Sequence, residues 1–265
     1  MANFASVKLI MFMNVPAVSL LSREKVISFV WQHLLLVFSL FVMTLGVALC
    51  VRSNMGSSVI STIPYVMTIA GGDEIVPSLT IGEYTYLMNF LLVGCQILLL
   101  RSRFELLQLF QLVIGFLFGW LLDVNMMITA PLLCSTLPMQ ISAQLAGCVV
   151  LAVGISLEIR CGSVTMPGEG FPVALSRASG IPFAKAKIVT DISLVAVAVL
   201  LSYLFFGEWL WQVVGPGTLV AMVLVGALVK AFNPYMGWFD KLVCHRHGFR
   251  RCIYGLARFI YRRNE

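Results

Sequence analysis

The sequence predicts an all-α, polytopic membrane protein, and three observations predict it. Hydrophobic residues fill 60% of the 265 positions and charged residues 11%, against roughly 45 to 50% and about 25% in a soluble domain. An aqueous fold built from this chain has too little polar surface to cover itself. From Gln108 to Leu157 the only formal charge is Asp123, a stretch that water cannot solvate. Mean hydropathy is +0.95, and the apolar runs are continuous and rich in Leu, Val and Phe. That continuity excludes a β-barrel, whose strands alternate apolar and polar residues.

Six runs approach the ~20 apolar residues that a spanning helix needs. They are 31–51, 82–100, 107–123, 140–159, 186–206 and 213–233. Before them, Leu9–Leu21 is broken by Asn14 and Pro16 and followed by Arg23 and Lys25. With only Lys8 in front, it reads as an interfacial helix in an N-terminal segment 1–28, in preference to a signal peptide. Two apolar stretches are too short or too broken to span: 56–70 (GSSVISTIPYVMTIA) and 164–179 (VTMPGEGFPVALSRAS). Both read as re-entrant or broken half-helices. Met166–Pro172, with two prolines and two glycines, reads as non-helical, and Pro172 opens a short helix 172–179 whose free N–H groups point toward whatever Glu169 faces.

Orientation follows from the basic residues, which mark cytoplasmic ends. Arg23, Lys25, Arg101, Arg103, Arg160, Arg177, Lys185, Lys187, Lys230 and Lys241 fall on one side if six spans leave both termini inside; the other side receives Asp73, Glu74, Glu83, Asp123 and Glu208 with only Arg52. The halves of the membrane domain 29–235 also match. At an offset of 108, Gly46, Leu49, Arg52, Pro64 and Gly72 correspond to Gly154, Leu157, Arg160, Pro172 and Gly180; after a six-residue excess the offset is 102, setting Glu83 opposite Lys185 and Asn89 opposite Asp191. Three crossings per half predict a 3+3 inverted repeat, about 29–124 and 138–235, which is the plan of many secondary transporters.

Ionisable residues inside a membrane mark pathways by default. Lys187 and Asp191, spaced i, i+4, share a helix face, and with Glu169 and Lys185 they form a mixed-sign cluster between spans four and five. Arg160, Arg52, Glu83, Asn89, Tyr65 and Thr218 complete the candidate substrate- or ion-binding set. Ser57, Ser58 and Thr62 are polar too, but helical hydroxyls more often bond back to their own helix. Gly115-x-x-x-Gly119 is a helix-packing motif.

Net charge is +6, of which residues 240–265 hold +5. In this tail, 236–265, Cys252, Ile253, Leu256, Phe259 and Ile260 lie on one stripe with arginines elsewhere. It reads as a basic amphipathic helix on anionic lipid headgroups, in preference to nucleic acid or a docked partner. The cysteines are odd in number, seven, with no C-x-x-C pair, and read as small core residues. His33, His245 and His247 have no metal-type spacing, and no Ser/His/Asp, H-E-x-x-H or Walker pattern appears. The expectation is therefore no enzyme, no metal and no cofactor.

The second half resembles the YczE/YyaS/YitT family of bacterial integral membrane proteins. The resemblance is carried by Met166-Pro167-Gly168-Glu169-Gly170-Phe171, Ala174-Leu175, Phe183-x-Lys185-x-Lys187-x-x-x-Asp191, and Gly217-Thr218 followed by Gly226. It implies a transporter-like protein of the bacterial cytoplasmic membrane and names no substrate. Three functions follow as expectations: a proton- or cation-coupled secondary transporter of a small polar, anionic or zwitterionic solute, a passive channel, or a non-transporting accessory protein. In the first, Glu169 and Asp191 couple the ion, and Lys185 and Lys187 tune them or hold an anionic group. A homo-oligomer is compatible with each.

Overall fold

A computed structural model describes residues 15–72, 76–101, 104–161 and 166–243. They form helices and connecting turns: α1 (Val15–Arg52), α2 (Thr62–Ala70), α3 (Ile81–Leu100), α4 (Phe110–Ile128), α5 (Leu137–Cys161), α6 (Pro167–Ser179), α7 (Phe183–Phe206), α8 (Pro216–Phe232) and α9 (Gly237–Val243). A 3₁₀ turn, Val59–Ser61, leads into α2, and another, Asn233–Met236, joins α8 to α9. Six segments are long and apolar enough to cross a membrane: Phe29–Arg52 of α1, then α3, α4, α5, α7, and Pro216–Asp240, which contains α8. The chain is thus an all-helical, multi-pass membrane protein. Residues 15–28 continue the first span as one helix, and the amphipathic stripe of the tail lies outside the described residues.

The start of α3 is set by its local sequence. Thr80 caps α3 in a reciprocal box with Glu83, the arrangement that satisfies two orphan N–H groups at once. Asp123 of α4 braces the same end, its Oδ1 accepting from Gly82 N at 2.8 Å and its Oδ2 from Thr80 Oγ1 at 2.6 Å.

One expectation is corrected. Met166–Pro172 is not a non-helical stretch followed by a helix at Pro172; α6 runs unbroken from Pro167 to Ser179, with Pro172 inside it. Pro167 occupies the first helical position, where its missing N–H costs nothing. Pro172 deprives only the Gly168 carbonyl of a donor, a loss that a two-to-four-turn helix held by its neighbours sustains.

Helix α1 forms the centre, packed along α5 and also against α4 and α9. Glycine makes the α1–α5 approach possible. A Cβ on Gly46 would lie 2.4 Å from Leu151 N, and one on Gly154 would lie 2.5 Å from Cγ of Met43. In lipid, where apolar surface gains little by pairing with apolar surface, such backbone proximity is what holds helices together.

The packing partners of one half recur in the other. α1 packs on α4 as α5 does on α8, α2 lies on α3 as α6 lies on α7, and the short helices are exchanged: α2 packs on α7 and α6 on α3. The correspondence ends at the last pair, because α3 packs along α4 while α7 and α8 diverge. The outer faces of these two helices, with Ile188, Leu200, Leu204, Leu219 and Val223, stay exposed.

Candidate functional site

Successive crossings put Arg160, Phe183 and Asp240 at one end of the molecule and Arg52, Ile81 and Pro216 at the other. At the Arg160 end α5 stops, and α6 is preceded by Met166, which is buried, as are Pro167 and Gly168. Helix α6 therefore begins inside and runs outward. It ends at Gly180, whose φ of 72° and N–H bond to Ser176 O at 2.9 Å close the last turn. The short connection through Pro182 then sends α7 back along α6.

This hairpin assembles the charged cluster. Glu169, in the first turn of α6, accepts from Lys187 Nζ at 3.1 Å, and the same ammonium lies 3.1 Å from Asp191 Oδ1. Asp191 is eight residues into α7, about 12 Å along the axis at 1.5 Å per residue, and its side chain is only 12% exposed. Two carboxylates share one cation, a net charge of −1.

The buried start of α6 is gripped from three sides. Glu158 of α5, 4% exposed, accepts from Met166 N at 3.0 Å. Gln96 of α3 donates to Pro167 O at 3.4 Å and to Gln111 Oε1 of α4 at 3.2 Å. On the third side, Gly168 lies against the 3₁₀ turn before α2: a Cβ there would fall 1.9 Å from Ile60 Cδ1. The starts of the two short helices, α2 and α6, meet at this contact.

The start of α2 is lined by hydroxyls. Ser57, Ser58, Ser61 and Thr62 are all buried. Ser58 and Ser61 Oγ are 2.8 Å apart, Ser61 Oγ donates to Ser58 O at 2.9 Å, and Thr62 Oγ1 donates to Val59 O at 2.8 Å. Ser57 reaches across to Val213 O from both its N, at 2.9 Å, and its Oγ, at 3.1 Å.

Of the residues singled out from sequence, Glu169, Lys187 and Asp191 come together, and the others stand elsewhere. Lys185 is exposed on α7, outside the ion pairs among the described residues. Arg160 clamps α9, donating to Asp240, to Asn233 O and to Asn233 Oδ1 at 2.8 Å. Arg52 donates to Met126 O at 2.8 Å. Glu83 is the exposed partner of the α3 cap. Thr218, fully buried, donates to Val213 O at 3.1 Å and closes the turn that opens α8. Tyr65 is half-buried between apolar clusters. Asn89, fully buried, faces Gly115 of α4 and has an unpartnered Oδ1. Glycines 115 and 119 do pack, the latter against Gly82.

Glu158 escaped the sequence reading because it stands two residues before Arg160, where it resembles the charged rim of a span. A signal was present: Gly147, Leu151, Gly154, Glu158 and Cys161 recur at alternating steps of four and three, the buried stripe of α5. Gln96 and Gln111 also escaped it, although Gln96 lies seven residues after Asn89 and Gln111 three after Gln108, each pair on one helix face.

Residues 30–234 match the model of a family of unknown function, DUF6198. No curated protein and no solved structure matches the chain.

Proposed function

The chain belongs to this family of unknown function, and from that premise we propose that it is a secondary transporter of the bacterial cytoplasmic membrane, with both termini inside. Its cargo is a small anionic or zwitterionic solute, moved with a proton or cation and without catalysis. The observation that carries the reading is the Glu169–Lys187–Asp191 cluster beside the contact between the two interrupted segments. Non-spanning helices that begin inside the membrane domain and meet there are the usual setting of transporter sites.

An inverted repeat of the halves supports the same reading. Under the offset of 108, Gly46 against Leu151 and Gly154 against Met43 are one contact seen twice. Gly168 and Ile60, which touch, are each other's counterparts, as residues on a pseudo-twofold axis are. Arg52 and Arg160 each donate to a backbone carbonyl near the end of the third span of their half. The exchange of α2 and α6 between halves lets a rocking motion of one half reshape the contact around a fixed centre. The likeness to the YczE/YyaS/YitT family belongs to this proposal as well.

In this mechanism the two carboxylates share Lys187 in the unloaded state, which leaves the cluster one negative charge. A proton on Glu169 or Asp191 releases part of its hold, and the ammonium is then available to an anionic group of the solute. The test is gradient-driven uptake by purified protein in proteoliposomes, using the solute found by a ligand-stabilisation screen. Glu169→Gln abolishes accumulation and leaves the melting transition intact; accumulation at the wild-type level in that variant overturns the assignment. Ohmic current in place of saturable accumulation makes the protein a channel.

A further inference from the structure

We propose that Glu158 is a proton-binding site, and that gain and loss of its proton governs how firmly the start of α6 is seated. Its part in solute coupling rests on the transporter reading; the proton site does not.

Three observations carry this. First, the Glu158 carboxylate is buried, and among the described residues it has one neutral donor, Met166 N at 3.0 Å, and no paired cation. Lys187 is taken by Glu169 and Asp191, and Arg160 by Asp240. A buried charge with no counter-ion is costly, and protonation removes that cost. Second, the fold does not need a carboxylate there. The counterpart at the offset of 108 is Cys50, fully buried beside Cys148 and Ala221, and the first half closes around it. Third, Met166 is the N-cap of α6, so the acceptor is tied to the helix that carries Glu169.

The charged and titratable surroundings are few. Glu169 stands three residues after Met166, in the first turn of α6. Lys187 of α7 stands behind it, and Asp240 of α9 is already paired. Cys161 lies one turn on in α5, and α1 contributes Ser39, buried and neutral, and His33, half-buried. Lys230 of α8 is exposed.

The step balances as carboxylate plus proton giving carboxylic acid. Ionised, Glu158 accepts a charge-assisted bond from the Met166 N–H, roughly twice as strong as a neutral one, at the positive end of α6. Protonated, it keeps only a neutral bond, and α6 is held less firmly.

Infrared difference spectra of the purified protein across a pH titration test this. The wild type shows the carbonyl band of a buried carboxylic acid, Glu158→Gln loses it, and proton uptake falls by about one per chain. Glutamine keeps an acceptor for Met166, so the variant folds. An independent reading on the unaltered chain uses dicyclohexylcarbodiimide, which modifies protonated carboxyls in apolar surroundings. Peptide mapping finds the adduct on Glu158, forming faster at acid pH. An unchanged band in Glu158→Gln, or labelling confined to Glu169 and Asp191, overturns the proposal. Loss of the band in Glu158→Gln, with a wild type that moves no solute, keeps the proton site and sinks the transporter reading. In a transporting wild type, Glu158→Gln retains solute exchange and loses accumulation driven by a pH gradient.

Discussion

Two short helices begin inside this protein, and their starts are furnished differently. The start of α2 is surrounded by Ser57, Ser58, Ser61 and Thr62, whose hydroxyls bond to one another or to nearby carbonyls. The start of α6 has Glu158 on its N-cap, Glu169 in its first turn, and Lys187 with Asp191 alongside. Both starts touch at Ile60 and Gly168, and both helices pack across onto the other half. The backbone arrangement therefore does not require charge. The carboxylates of the second half are an addition to a scaffold that closes without them, and this separates residues that fold the protein from those to which the proposed function is assigned.

The largest effects belong to the scaffold and fall equally on the halves. Gly46→Leu and Gly154→Leu each drive a side chain into the facing backbone, where even a Cβ lies within about 2.5 Å of an atom it cannot pass. Each lowers stability by roughly 3 kcal/mol or more, read as a loss of folded yield and of the detergent melting transition. Gly226→Leu, with nothing within 4 Å of its Cβ position, leaves both unchanged. A large penalty at Gly154 with none at Gly46 breaks the equivalence of the halves.

Charge comes next, and here the halves part. Lys187→Met leaves Glu169 and Asp191 facing each other without their shared cation, a cost of about 1–3 kcal/mol given that the ammonium is partly exposed. Adding Glu169→Gln and Asp191→Asn restores most of the stability and none of the uptake. The position opposite Lys187 at the offset of 102 is Thr85, whose hydroxyl donates only to Ile81 O of its own helix at 2.7 Å. Thr85→Val changes the melting transition by less than about 1 kcal/mol. A larger loss at Thr85 than at Lys187 overturns the assignment of chemistry to the second half.

Much of this was legible in the sequence, for reasons that differ by feature. The spans were readable because a long apolar run has no alternative in water; their ends moved by a few residues because caps such as Thr80 and Gly215, not hydropathy, fix where helices start. Lys187 and Asp191 were readable because i, i+4 spacing puts two side chains on one face whatever the surroundings. Arg52 and Arg160 entered the candidate set because charge near membrane depth suggests a pathway. At a helix end it equally serves orphan carbonyls, and both arginines do so. Glu158 was hidden because its burial is a tertiary event: it depends on the chain turning back at Met166 and on α1 lying close along α5.

The smallest effect separates a cap from a ligand. Glu83 sits opposite Lys185 at the offset of 102, and position alone recommends it as the first-half partner of the charged cluster. Its carboxylate instead accepts from Thr80 N at 2.9 Å while Thr80 Oγ1 accepts from Glu83 N at 3.1 Å, at the end of the molecule away from Glu169. Glu83→Gln keeps the acceptor and loses only the favourable charge at a helix N-terminus, about 0.3–1 kcal/mol. Melting falls slightly and uptake stays at the wild-type level. Lys185→Met, on an exposed face of α7, behaves the same way. Loss of accumulation in Glu83→Gln without loss of folding returns this residue to the site and makes the first half a chemical partner of the second.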